Sequence, residues 1–458
     1  MFSYLHEGDA AMSRLHPPFR SVLDLIGETP VVELTQFDTG PCRLFIKLES
    51  QNPGGSIKDR IALSMIAAAE REGKLKRGGT IVEATAGNTG LGLAQVGIPK
   101  GYRIILVVPD KMSREKIQHL RALGAEVRLT RSDVGKGHPE YYQDMAEKIA
   151  SEIPGSFYVN QFANPANPQA HETTTGPEIW DQLDGDVDAV VVGVGSGGTL
   201  TGLGRFFAKV SPKTEMVLAD PVGSVLAPLV KTGKMEEAGS WTVEGIGEDF
   251  VPPNADLSLV KKAYSVNDKA SMLAVRDLLA KEGILAGSSS GTLLSAALRY
   301  CREQKTPKRV VTFVCDSGNK YLSKVFDDFW LAEQGLAEKE QHGDLSDLVA
   351  RSHREGGTVF VGRRTICSPP MAGCGAGTCR SCRCWRTASS SASSTRATSC
   401  PRSTDPMTAA GTASTRRCRR PWPRTCTRCR PTRRWTRCCR SSTATKWRSC
   451  STATNSSG

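Results

Sequence analysis

The 458-residue chain carries 60 Lys and Arg against 47 Asp and Glu, and its formal charge of +13 at first points to a nucleic acid or an acidic membrane surface. That sum joins two unlike stretches: residues 363–458 hold 20 bases and one acid, Asp405, which leaves 40 bases and 46 acids in residues 1–362. The last stretch also contains twelve of the fifteen cysteines and no Leu, Val, Phe or Tyr, so it cannot bury enough apolar surface to offset its chain entropy and is expected to be largely disordered.

The front stretch is mildly acidic, which removes the argument for a nucleic-acid partner. Its three scattered cysteines, Cys42, Cys301 and Cys315, suit a reducing, cytoplasmic location. No run of about 18 apolar residues is present to span a bilayer, and His6, Glu7 and Asp9 break the layout of a signal peptide.

In chain order, a strand over 44–48 leads to the 52–60 loop Asn-Pro-Gly-Gly-Ser-Ile-Lys-Asp-Arg and a helix over 57–72. Ser56 with Asp59 three residues on reads as a capping box, which puts Lys58 in the first helical turn. A cation there opposes the helix dipole, so its pKa falls, and a neutral amine is what Schiff-base chemistry needs. A solvated helix-start lysine has the same spacing. Strand 80–83 runs into Glu-Ala-Thr-Ala-Gly-Asn-Thr-Gly over 83–90, where Thr85, Asn88 and Thr89 among glycines suit a carboxylate or phosphate before a helix at 91–96. In isolation that composition is also that of an ordinary turn.

Strand 104–108, helices 114–123 and 141–151, and strand 157–159 follow. Strand 187–194 ends in a third loop, where Gly193, Gly195 and Gly198 satisfy G-x-G-x-x-G and Asp220, after strand 216–219, stands where a ribose-binding acid would. That is the case for a nicotinamide-dependent dehydrogenase, weakened because the loop follows some five strands when it should open its unit. Gly195, Ser196, Gly197, Gly198 and Thr199 serve a single phosphate ester equally well. Helix 272–281, the hydroxyl-rich loop 285–292 with Ser289, helix 291–304 and strand 310–314 complete the pattern. The alternation predicts an α/β fold of mostly parallel sheets flanked by helices, with ligands at the carboxyl ends of the strands.

Together and in this order, the four loops resemble the fold-type-II pyridoxal-phosphate enzymes, in particular the cystathionine β-synthase and cysteine synthase family, from about residue 26 to about residue 329. The resemblance implies a two-lobed, tryptophan synthase β-like fold, pyridoxal 5'-phosphate as cofactor and no metal. It implies that Lys58 binds the cofactor as a Schiff base and serves as catalytic base. Asn88 would hydrogen-bond the ring hydroxyl, Gly195, Ser196, Gly197, Gly198 and Thr199 would hold the phosphate, and Ser289 would face the pyridine nitrogen. Thr85, Asn88, Thr89 and Gln161 would receive the substrate's α-carboxylate, with Ala86 where many relatives have a serine.

The implied reaction is β-replacement on serine by a thiol, serine and homocysteine giving cystathionine and water, with cysteine synthesis from O-acetylserine and sulfide as the alternative. The 110–116, 244–250 and 315–321 stretches, with Glu248 and Asp249, favour the first; Phe162 favours the second. Relatives imply a homodimer. The expected division is an N-terminal extension over 1–20, a catalytic domain over 21–345, a linker over 346–362 and the tail over 363–458.

In the tail, Cys379, Cys382 and Cys384, then Cys426 and Cys429, suggest zinc, and its arginines suggest RNA or DNA. A lost base near codon 362 explains more. Cys and Trp codons begin TG, so the true codon one base earlier ends in TG and encodes Leu, Met or Val. Read that way, the tail gains apolar periodicity and resembles the regulatory nucleotide-binding domain pair that follows the catalytic core in many relatives. Residues 363–458 therefore read as out-of-frame sequence, which sequencing codons 358–368 tests directly.

Overall fold

The computed structural model describes residues 18–337 apart from 86, 111, 113 and 136. The expectations for Ala86, for most of the 1–20 extension, for the 345 and 362 boundaries and for the whole tail lie outside the described residues. Among the described residues, ten strands form two sheets: β1 (Val31–Glu33), β2 (Arg43–Lys47), β3 (Thr80–Ala84), β4 (Arg103–Pro109), β5 (Glu126–Thr130), β6 (Ser156–Tyr158), β7 (Ala189–Val192), β8 (Glu215–Pro221), β9 (Val260–Val266) and β10 (Arg309–Phe313). The helices are α1 (Lys58–Arg71), α2 (Asn88–Gly97), α3 (Arg114–Ala122), α4 (Tyr142–Glu152), α5 (Ala166–Ala170), α6 (Gly176–Gln182), α7 (Gly198–Val210), α8 (Leu226–Thr232), α9 (Asp268–Glu282), α10 (Ser288–Arg302) and α11 (Asp328–Glu333), with a π-helical turn His171–Thr175 between α5 and α6.

One sheet has the order β1-β2-β10-β7-β8-β9 and the other β5-β4-β3-β6. Every pairing is parallel except β1 with β2. The chain thus starts the six-stranded sheet, leaves to build the four-stranded one, and returns with β7 to β10. All seven strands expected from continuous apolar runs are present. The three that were not expected, β1, β5 and β9, are edge strands, which keep one side open to water and carry no continuous apolar run.

The four-stranded sheet shows the two-residue period of a sheet covered on both faces. Ile81, Ile104, Leu106 and Val108 face one core with Ile61, Met65 and Leu91 of α1 and α2, whereas Val82, Ala84, Ile105 and Val107 face another with Ala146 of α4. The six-stranded sheet is buried in a core of its own through Val190, Val217 and Val311.

The helix that carries Lys58 is fixed by a buried ionic cluster. Arg60 donates through Nε and a terminal nitrogen to both oxygens of Glu49 at 2.7 and 2.8 Å, and to both oxygens of Glu178 at 2.6 and 2.7 Å. Lys47 pairs with the same Glu178 at 2.9 Å. Burial would raise the Glu178 carboxyl, but Arg60 and Lys47 outweigh it and hold it down at about 2. The cluster ties β2, α1 and α6 together around the lysine's helix.

Candidate active site

The strand-to-helix junctions of both sheets open onto one cavity of about 930 Å³. Lys58, Thr85, Asn88, Thr89, Gln161, Ser289 and all five residues of the 195–199 loop line it, so every residue singled out for cofactor or substrate reaches the same space. Lys58 is the first residue of α1, as expected, but the capping box does not form. The Lys58 N–H donates to Ser56 Oγ at 3.3 Å, while Asp59 turns back to accept from the Gly54 N–H. Burial lowers the Lys58 amine from the ordinary lysine range, against opposing pulls from Cys315, Glu248 and Asp316.

In the second loop, Thr85 Oγ1 accepts from the Gly87 and Gly90 N–H groups at 3.0 and 3.2 Å, which leaves its own O–H to donate elsewhere. Thr89 Oγ1 donates to Gln161 Oε1 at 2.6 Å, joining the loops after β3 and β6.

The third loop is shaped by what a side chain would strike. Gly197 precedes α7 at φ +85°, and a Cβ there would lie 2.6 Å from the Ala255 nitrogen; a Cβ on Gly198 would lie 1.9 Å from Asn167 Oδ1. Asn167 donates through Nδ2 to Gln161 O at 2.8 Å and Ser196 Oγ at 2.9 Å, and Thr199 Oγ1 lies 3.3 Å from His171 Nε2. Burial drives the His171 pKa well below the ordinary histidine value, so the imidazole is neutral and its two nitrogens bridge Thr199 and Thr175. Asn167 and His171 escaped the sequence reading. A π-helical turn at 171–175 carries no periodic signature, and such turns occur often at functional sites.

Ser289, in the first turn of α10, lies beside Cys315, whose thiol burial pushes up to about 12. Asp220 is a correction to the dehydrogenase reading: it does not line the cavity. Fully buried in β8, it accepts from the Ala227 N–H at 2.8 Å at the start of α8, and burial raises it to about 6.

Three distant stretches noted in the sequence meet in one network. Lys116 pairs with Glu244 at 2.6 Å and donates to Tyr321 Oη at 3.0 Å; Lys324 pairs with the second Glu244 oxygen at 2.6 Å.

The family described as pyridoxal-phosphate dependent enzyme matches residues 22–316. The chain belongs to the pyridoxal-phosphate-dependent enzymes. It is 41% identical over 320 residues to the cystathionine beta-synthase of Apis mellifera, covering 69% of this chain and 63% of that protein. It is 41% identical over 322 residues to that of Mus musculus, covering 70% and 57%, and 40% identical over 328 residues to that of Saccharomyces cerevisiae, covering 69% and 64%. The chain thus spans roughly three fifths of the length of these curated relatives. Among solved structures, a hydrogen sulfide-producing enzyme from Fusobacterium nucleatum is 38% identical with a TM-score of 0.62, over 67% of this chain and all of that one. O-ureido-L-serine synthase is 33% identical with a TM-score of 0.64, over 73% of this chain and all of that one.

The residues present fit the family's cofactor, pyridoxal phosphate. Gly198 and Thr199 begin α7 with backbone N–H groups that have no acceptor within the helix, and the neighbouring glycines leave room only for backbone, which is the donor set a phosphate takes. A lysine amine held toward its neutral form opens onto the same cavity. Among the described residues no helix is long and apolar enough to cross a membrane.

Proposed function

We propose that this chain catalyses β-replacement on serine by homocysteine, forming cystathionine and water. Pyridoxal phosphate, when bound, supplies the electron sink that makes the Cα proton of an amino acid removable. Lys58 holds the cofactor, with the 195–199 loop on its phosphate, Asn88 on its ring hydroxyl and Ser289 at its pyridine nitrogen. The Thr85 hydroxyl and the Gln161 amide, with the backbone N–H groups of Asn88 and Thr89, receive the serine carboxylate. Lys58 Nζ, kept toward neutrality by burial, takes the Cα proton and delivers it to the hydroxyl that leaves as water. The sulfur of homocysteine bonds to Cβ, and the thiol's proton reaches Cα through the same amine.

The single observation that carries the choice of thiol is the charge along the cavity. Lys116, Glu244, Glu248, Asp249 and Lys324 all line it, a set of both signs that suits a second zwitterionic amino acid and has no use in handling sulfide. The cysteine synthase alternative has one supporting observation. Phe162 also lines the cavity, its ring 5.7 Å from that of Phe250. We further propose a catalytic domain over 21–345, a homodimer and a cytoplasmic location, the last supported by free thiols at Cys42, Cys301 and Cys315. Mass spectrometry of serine and homocysteine mixtures with the full-length chain tests the reaction: cystathionine should form, and Lys58→Ala should abolish both the product and the visible absorbance of bound cofactor.

A further inference from the structure

The Asn88 amide lies between two neighbours that fix its orientation. Lys320 Nζ donates to Asn88 Oδ1 at 3.0 Å, and Asn88 Nδ2 donates to Asp316 Oδ2 at 2.6 Å. An ammonium only donates and a carboxylate only accepts, so a flipped amide would face donor with donor and acceptor with acceptor. Lys320 is itself held by the carbonyls of Gly54 and Gly55 at 3.0 and 3.1 Å, beside the turn that starts the Lys58 helix. Asp316 Oδ2 also accepts from Tyr321 Oη at 2.7 Å, and that hydroxyl in turn accepts from Lys116. Asn88 opens α2 beside the four-stranded sheet, whereas Asp316, Lys320 and Tyr321 follow β10 of the six-stranded one. The amide's orientation is therefore set by direct contacts from residues that follow the other sheet.

We propose that Lys320 and Asp316, steadied by Tyr321 and Lys116, are positioning residues for Asn88. They commit one Nδ2 proton to Asp316 and keep the second for the ring hydroxyl of the cofactor. This inference rests on the proposed role of Asn88 and deepens it. Asp316, Lys320 and Tyr321 are not among the residues that line the cavity, so their effect is read in how the cofactor is recognised.

The test titrates the cofactor-free full-length chain with pyridoxal phosphate and, separately, with 3-deoxypyridoxal phosphate, which lacks the ring hydroxyl. Quenching of the fluorescence of Trp241, which lines the cavity, gives the dissociation constants for both compounds. Dividing one constant by the other cancels effects on the Schiff base and the phosphate loop. Lys320→Met should lower the preference for the natural cofactor about tenfold, the scale of one hydrogen bond, with a smaller loss in the same direction for Tyr321→Phe. Thermal unfolding confirms that the variants fold, and Tyr321→Phe carries the test if Lys320→Met does not. Equal weakening toward both compounds would show a merely structural role and overturn the inference, as would an unchanged preference. A parent chain that binds neither compound would instead overturn the proposed function from which the inference starts.

Discussion

Replacing Gly198 by alanine probes the cofactor loop without touching a polar group. The added Cβ would lie 1.9 Å from Asn167 Oδ1, 2.5 Å from its Cγ and 3.0 Å from its Nδ2, so Asn167 has to move. It has little freedom to do so. Only 1% exposed, it is pinned by hydrogen bonds to Gln161 O at 2.8 Å and Ser196 Oγ at 2.9 Å. Overpacking in a filled site costs about 1–3 kcal/mol, and losing one of those hydrogen bonds adds about 1 kcal/mol. A penalty of about 3 kcal/mol, falling on the loop that takes the phosphate, corresponds to a dissociation constant for pyridoxal phosphate raised about a hundredfold. The assay is titration of the cofactor-free chain, followed by absorbance. Asn167→Ala combined with Gly198→Ala removes the obstructing atom, so the double variant should bind more tightly than Gly198→Ala alone. Parent-like affinity in Gly198→Ala, within about threefold, would refute the close-packed loop.

Other perturbations test the framework and the electrostatics. Arg60→Ala strands the fully buried Glu49 and should lower stability in urea unfolding by about 3–5 kcal/mol; Arg60→Lys should recover little, because it lacks the planar fork. Burial raises the Glu83 carboxyl to about 8 against an ordinary 4.5, so between those values the folded state keeps a proton that the unfolded state has released. Stability should therefore fall as pH rises from about 5 to about 8, and Glu83→Gln should gain on the parent across that window by an amount on the order of a few kcal/mol. Equal pH slopes for the two proteins would show that Glu83 does not hold a proton in the folded state over that range. Glu248→Ala should reduce kcat/KM with homocysteine about tenfold or more while changing turnover with sulfide little, as expected of a carboxylate that meets an amino group and not a sulfur.

How much of this was legible in the sequence follows from the range of each interaction. Central strands such as 187–194 are buried on both faces and announce themselves as apolar runs, and the loops after them are marked by clustered Gly, Ser, Thr and Asn. Those patterns, together with the family resemblance they carry, pointed to Lys58, Thr85, Asn88, Thr89, Gln161, Ser289 and the 195–199 loop, which line one cavity. The edge strands β1, β5 and β9 were missed because half-buried edges break the run. Local pattern also misled at Ser56 and Asp59, where the aspartate took the Gly54 N–H, and at Asp220, whose spacing suited a ribose but whose side chain caps α8. The network from Lys116 through Tyr321 and Asp316 to Asn88 depends on residues hundreds of positions apart, and no local period encodes such a contact.

The substrate preference of the full-length, cofactor-loaded chain decides between the two thiols. Serine with homocysteine and, in parallel, O-acetylserine with sulfide are each followed to their product, and kcat/KM values are compared. Cystathionine formation should show the larger value. A larger value for cysteine formation from O-acetylserine and sulfide would contradict the proposed function.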